Sequence, residues 1–144
     1  SPVTLWIKPG NTVGKVTVSG LEATGVYRSA FSAESWTDAP ITNVILRGVR
    51  AEFAGGGKAW STNQIVKGPG VDARALPAWG LYARNVQSLT LEDVRFSLAE
   101  DDFRPVLHAD KVEWLNLDSF KFTLVPGVAE PLVTTNVGQL RQNP

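Results

Sequence analysis

Six side chains of types that handle polar ligands recur at matching places in short alternating stretches: Trp6, Lys8, Glu34, Tyr82, Arg84 and His108. The stretches are Leu5-Trp6-Ile7-Lys8, Phe31-Ser32-Ala33-Glu34, Leu81-Tyr82-Ala83-Arg84 and Leu107-His108-Ala109-Asp110. As strands they turn Leu5, Phe31, Leu81 and Leu107 inward, and two rows outward. One row is Trp6, Ser32, Tyr82, His108; the other is Lys8, Glu34, Arg84, Asp110, alternating in sign. Opposite charges directly across strands attract, so Lys8 is expected near Glu34 and Arg84 near Asp110. Such a row is either a surface charge ladder, whose pairs are worth little, or the floor of a polar cleft. In a cleft, Trp6 or Tyr82 would stack on a sugar ring. Lys8, Arg84 and His108 would contact carboxylates, since arginine grips a carboxylate with two parallel hydrogen bonds.

The same inventory excludes much chemistry. Cysteine is absent and histidine occurs once, so no thiol nucleophile or multi-histidine metal centre can form. No acidic cluster has calcium-ligand spacing. Gly55-Gly56-Gly57-Lys58 lacks the spacing and following helix of a phosphate loop. Asp101-Asp102 reads as a solvated turn between strands. An inverting glycosidase needs two carboxylates about 6.5–9.5 Å apart, and no such pair can be assembled. Glu34, with Lys8 or Arg84 as neighbour, stays ionised and is unsuited to be the acid. No catalytic residue, metal or cofactor is therefore expected in the chain.

The elements that position these side chains repeat. Val16-Thr17-Val18, Val44-Ile45-Leu46, Leu89-Thr90-Leu91 and Leu115-Asn116-Leu117 share one frame. An apolar residue lies three before each (Val13, Ile41, Val86, Val112), and others lie five and seven after its first member (Leu21, Val49, Val94, Phe120; Ala23, Ala51, Phe96, Phe122). The copies begin 28, 45 and 26 residues apart, a period of solenoids. The reading is all-β: a right-handed single-stranded parallel β-helix of about four coils. The coils lie near 1–26, 30–54, 80–98 and 105–124, with a partial fifth at 131–144. A Gly/Pro-rich insertion at 55–79 lengthens the second interval and is expected to project from one corner. The triplets' outer members should be interior: Val16, Val18, Val44, Leu46, Leu89, Leu91, Leu115 and Leu117. Neither end carries an obvious cap, and an open solenoid end exposes apolar surface and strand edges. Missing N-terminal coils or another chain are expected to cover the ends.

Composition narrows the partners. The 144 residues carry 14 Lys+Arg and 14 Asp+Glu, a formal net charge of zero. Nucleic acid and anionic membranes both favour excess positive charge, so neither is an expected partner. No apolar run approaches the ~18–20 residues of a membrane span.

Ala75-Leu76-Pro77-Ala78-Trp79-Gly80-Leu81-Tyr82-Ala83-Arg84-Asn85-Val86-Gln87-Ser88-Leu89-Thr90-Leu91-Glu92-Asp93-Val94 resembles the C-terminal coils of polygalacturonases, the pectin lyase-like β-helix enzymes of glycoside hydrolase family 28. Ile41-Thr42-Asn43-Val44-Ile45-Leu46 and Phe103-Arg104-Pro105-Val106-Leu107 are similar to further coils, and the likeness covers most of residues 1–124. The resemblance implies a secreted or periplasmic protein acting on a polysaccharide, acidic in the pectic case. The family's Asn-Thr-Asp and His-Gly elements have no counterpart, and Trp6-Ile7-Lys8 stands where the family has Arg-Ile-Lys. By resemblance, then, the chain is the C-terminal part of such a hydrolase with its catalytic aspartates elsewhere. The alternative is a non-catalytic carbohydrate-binding or structural solenoid.

Overall fold

The structure, a computed structural model, describes residues 1–27, 29–61, 63–69 and 74–144. Residues 62 and 70–73 of the 55–79 insertion therefore lie outside the described residues. Nine strands and no helix occur among the rest: β1 (Thr4–Ile7), β2 (Lys15–Ser19), β3 (Glu22–Val26), β4 (Phe31–Ser35), β5 (Ile41–Phe53), β6 (Leu81–Leu98), β7 (Leu107–Phe122), β8 (Leu132–Thr135) and β9 (Gln139–Asn143). All pair in parallel, in one sheet curled like a half-barrel.

The shared frame sets the register. Val16 pairs with Val44, Val44 with Leu89, Leu89 with Leu115 and Leu115 with Leu140. Each pass of the chain lies along the previous one, so equal frames place like residues side by side. Val44, Leu46, Leu89, Leu91, Leu115 and Leu117 are buried as expected. Val16 and Val18 are only half-buried, because their strand β2 has a neighbour on one side alone. Phe31 stacks on Phe96 at 5.3 Å between centroids, and Phe53 and Phe120 meet Phe96 edge-on. These rings fill the concave side, where offset and edge-to-face pairs are favoured.

Bends in the sheet sit at two register-equivalent positions with positive φ. One holds Asn85, Lys111 and Asn136 (φ 54, 59 and 53°), each directly after the paired Arg84, Asp110 and Thr135. The other holds Gly20, Gly48, Asp93 and Ser119 (φ 66, 62, 53 and 57°). Glycine enters this region freely and Asn or Asp with modest cost, whereas Lys111 and Ser119 bear strain.

Two expectations about the outer face need correction. β1 is slipped by two residues: Thr4, Leu5, Trp6 and Ile7 pair with Ser32, Ala33, Glu34 and Ser35. A two-residue slip keeps every side chain on its own face but changes its neighbours. Ile7 stays on the inward face, beside Ser35, and is 1% exposed. Trp6, not Lys8, therefore stands beside Glu34. Second, the insertion does not simply project. Its Leu76 and Val66 pack with Ala30 on the outward side of Tyr82, forming a second small apolar cluster. Tyr82 and Glu34 are thereby buried, at 1% and 0% exposure.

The two edges of the sheet differ. On the first pass, the inward positions hold Val3, Leu5, Val13, Val18, Leu21, Ala23 and Val26, all apolar and packed on the core. On the last pass, Thr134 pairs beside Ala109 and Gln142 beside Leu117. Polar side chains thus occupy two inward positions there, which lowers the cost of leaving that edge to water.

Candidate functional site

The outward side of β1, β4, β6 and β7 carries five of the six expected residues, and Lys8 follows directly after β1. Glu34 is wholly buried and is gripped by Arg74 of the insertion, Nη1 to Oε1 at 2.6 Å and Nη2 to Oε2. The Trp36 indole N–H also donates to Glu34 Oε1, at 3.2 Å. Arg74 further donates to the Lys67 carbonyl at 2.8 Å, which ties the insertion to itself and to the sheet. Glu34 is thus a fastening residue here. The expected Lys8 contact does not form.

Two tryptophan–cation pairs flank this anchor. The Lys8 ammonium lies 5.8 Å from the Trp6 ring, and the Arg84 guanidinium 3.8 Å from the Trp36 ring. Both rings remain accessible, at 42% and 36%. Arg84 also meets Asp110 at 3.8 Å, as the charge row predicts. A cation over an indole face is held electrostatically by the ring quadrupole. The result is an outer strip with flat apolar faces and fixed positive charge.

Tyr82 and His108 meet edge-on, 5.8 Å between centroids. Burial raises the Tyr82 pKa above its usual value, more than the Arg84 hydrogen bond and charge lower it. The hydroxyl stays protonated and Tyr82 is unable to stack on a ligand ring. Burial lowers the His108 pKa, with Asp110 opposing, so the imidazole is neutral at pH 7.

Asp102 is the residue that sequence reasoning misplaced. It is wholly buried rather than solvated, while Asp101 is exposed. Its carboxylate accepts from Arg104 Nε (2.9 Å), Arg104 Nη2 (2.7 Å), the Arg104 backbone N–H (3.1 Å) and the Gly57 N–H (3.0 Å). Arg104 Nη1 donates in turn to the Leu76 carbonyl at 3.2 Å. The pair so fastens both ends of the insertion. Burial alone would raise the Asp102 pKa, but the Arg104 hydrogen bonds and charge outweigh it, with backbone donors adding; the net shift is down. The glycine run now has a reason. A Cβ on Gly57 would stand 2.6 Å from the Asp102 carboxylate and Arg104 Nε. Gly55, at φ 76°, would collide with the Glu100 backbone.

Beside this clamp lies a cleft of about 430 Å³ whose walls include Gly55–Gly57, Lys58, Trp60, Gln64 and Arg104. Neither Lys58 nor Trp60 belonged to the expected site. The signal for them was weak: one cation and one tryptophan in an insertion whose path the repeat does not determine. Among the described residues, no group of three His, Cys, Asp or Glu could hold a metal ion. Comparisons of the chain with protein-family models, curated proteins and solved structures find no match.

Proposed function

We propose that the chain is a right-handed parallel β-helix solenoid of the pectin lyase-like kind. It forms the polysaccharide-binding C-terminal part of a secreted or periplasmic polygalacturonase-like glycoside hydrolase, with the catalytic aspartates outside this chain. Right-handedness follows the strong preference of crossover connections between parallel strands. The observation that carries the binding reading is the outer strip, where Trp6 with Lys8 and Trp36 with Arg84 set two accessible indoles beside two cations. Sugar rings present apolar C–H faces to such indoles, and uronic acids add a carboxylate for the cations. His108 borders the strip as a neutral hydrogen-bonding group. Tyr82 and Glu34 support it from beneath. The second reading, a non-catalytic carbohydrate-binding or structural solenoid, is favoured by one fact. Both fully buried carboxylates, Glu34 and Asp102, are held by arginines and serve to fasten the insertion to the sheet.

Affinity electrophoresis in polygalacturonate against neutral galactan tests binding, with reducing-end release run alongside. The hydrolase-segment reading expects retardation by polygalacturonate, loss of it in Trp36→Ala/Arg84→Ala, and no turnover. Turnover by the isolated chain, or equal migration in both gels, overturns it. Restored hydrolysis on adding upstream coils would separate the hydrolase segment from the free-standing module.

A further inference from the structure

The cleft beside the Asp102–Arg104 clamp shares no described lining residue with the outer strip. Its volume, about 430 Å³, is in the range of small-ligand sites. Three observations define what it accepts. First, its positive charge is single. Arg104 is neutralised by Asp102, and Lys58 is the uncompensated cation among the described lining residues. Second, the glycine backbone offers little to a phosphate. The Gly56 N–H donates to the Asp101 carbonyl (3.0 Å) and the Gly57 N–H to Asp102 (3.0 Å), so these two amides are already engaged and not offered to a dianion. Third, Trp60 supplies a flat apolar wall and Gln64 an amide. Gln64 Oε1 is already engaged by the Ser61 N–H at 2.7 Å, which leaves its NH₂ as the donor.

We propose that this cleft binds one carboxylate-bearing sugar unit, its ring against Trp60, its carboxylate toward Lys58 and a hydroxyl accepting from the Gln64 amide. Glu100 sets the orientation. Its carboxylate lies close to Gly56, 3.4 Å from where a Cβ would stand, so it repels an anion and accepts from a sugar hydroxyl on that side. The Asp102–Arg104 pair builds the wall and contributes no net charge. The cleft stands on its own residues, whether or not the outer strip binds polymer.

The test is titration of the intact chain with galacturonate, galactose and acetate. The Trp60 indole N–H resonance is followed, identified by its loss in Trp60→Phe. Galacturonate should give a saturable shift. Galactose should bind about fivefold more weakly, the worth of one exposed ion pair, and acetate should leave the Trp60 signal in place. Lys58→Gln, an exposed change that spares the fold, should bring galacturonate down to the level of galactose. Trp36→Ala, on the outer strip, should leave the Trp60 shift intact even where it abolishes polymer binding. Acetate shifting Trp60 as well as galacturonate does would make the cleft a bare carboxylate site and overturn the proposal. Equal galactose and galacturonate affinity, indifference to Lys58→Gln, or no saturable shift would overturn it too.

Discussion

Glu34 and Asp102 are both wholly buried carboxylates bound by a guanidinium, yet they are built differently. Glu34 takes its arginine from 40 residues away, in the insertion, and otherwise accepts one indole N–H. Asp102 takes its arginine from two residues along and adds two backbone N–H donors. The first is a long-range tie whose closure depends on the insertion folding back. The second is a local knot within one turn that also accepts from Gly57. A buried acid beside an arginine is commonly a candidate for catalysis; here the same chemistry fastens an insertion onto a sheet, once through Arg74 and once at Gly57 and Leu76.

Breaking the long-range tie should have the largest effect. Arg74→Met removes the main partner of the wholly buried Glu34 carboxyl group, a loss of about 3–5 kcal/mol, read by urea denaturation. The double variant Glu34→Gln/Arg74→Met should recover part of that loss, because no unpaired charge remains. Asp102→Asn should cost less, about 1–3 kcal/mol, since an amide oxygen still accepts from the backbone. It should also change the acid response. The folded pKa of Asp102 is depressed below its model-compound value of 3.8. Its stabilisation is therefore complete above that value and is lost as pH falls through the lower folded value. Wild type should lose this increment below about pH 4, and Asp102→Asn should not. Gly57→Ala, which presses a methyl on the same knot, should cost about 1–3 kcal/mol, and the loss should shrink in the Asp102→Asn background. The smallest effect is a gain. Lys111→Asn relieves a left-handed residue remote from both ties and should add about 0.5–1 kcal/mol, additive with every change above.

The sequence shows the parallel stacking because a period-two pattern repeated in one frame admits few registers. Val44, Leu89 and Leu115 are interchangeable in environment, and they read alike. The bend positions were not read from the sequence, although Gly20, Gly48, Asp93, Asn85 and Asn136 are residue types that enter positive φ readily. Lys111 and Ser119 carry no such mark. β1 misleads because a two-residue slip preserves the alternation, so nothing in Leu5-Trp6-Ile7-Lys8 distinguishes the two alignments. Tyr82 and Glu34 read as exposed because their cover comes from the insertion, whose path no periodicity constrains. Asp102 reads as a turn residue because its four donors are three groups of Arg104, two residues along, and one backbone N–H, which look the same in any loop.

The unequal spacing of the passes gives the chain a direction in time. Val44 and Leu89 lie 45 positions apart, Leu89 and Leu115 only 26. Closing the longer segment costs about 0.5 kcal/mol more in chain entropy. The β6–β7 ladder is also the longer, with 13 paired residues against 11 for β5–β6. Since no strand pairs with its immediate successor through a tight turn, no hairpin can serve as a seed. The β6–β7 pair thus joins a short closure to the longest ladder, a nucleus in the C-terminal half onto which the earlier passes dock backwards along the chain. A ribosome delivers those passes in the opposite order, so until β6 has emerged β1 to β5 can pair only with one another, β1 with β4 and β2 and β3 with β5.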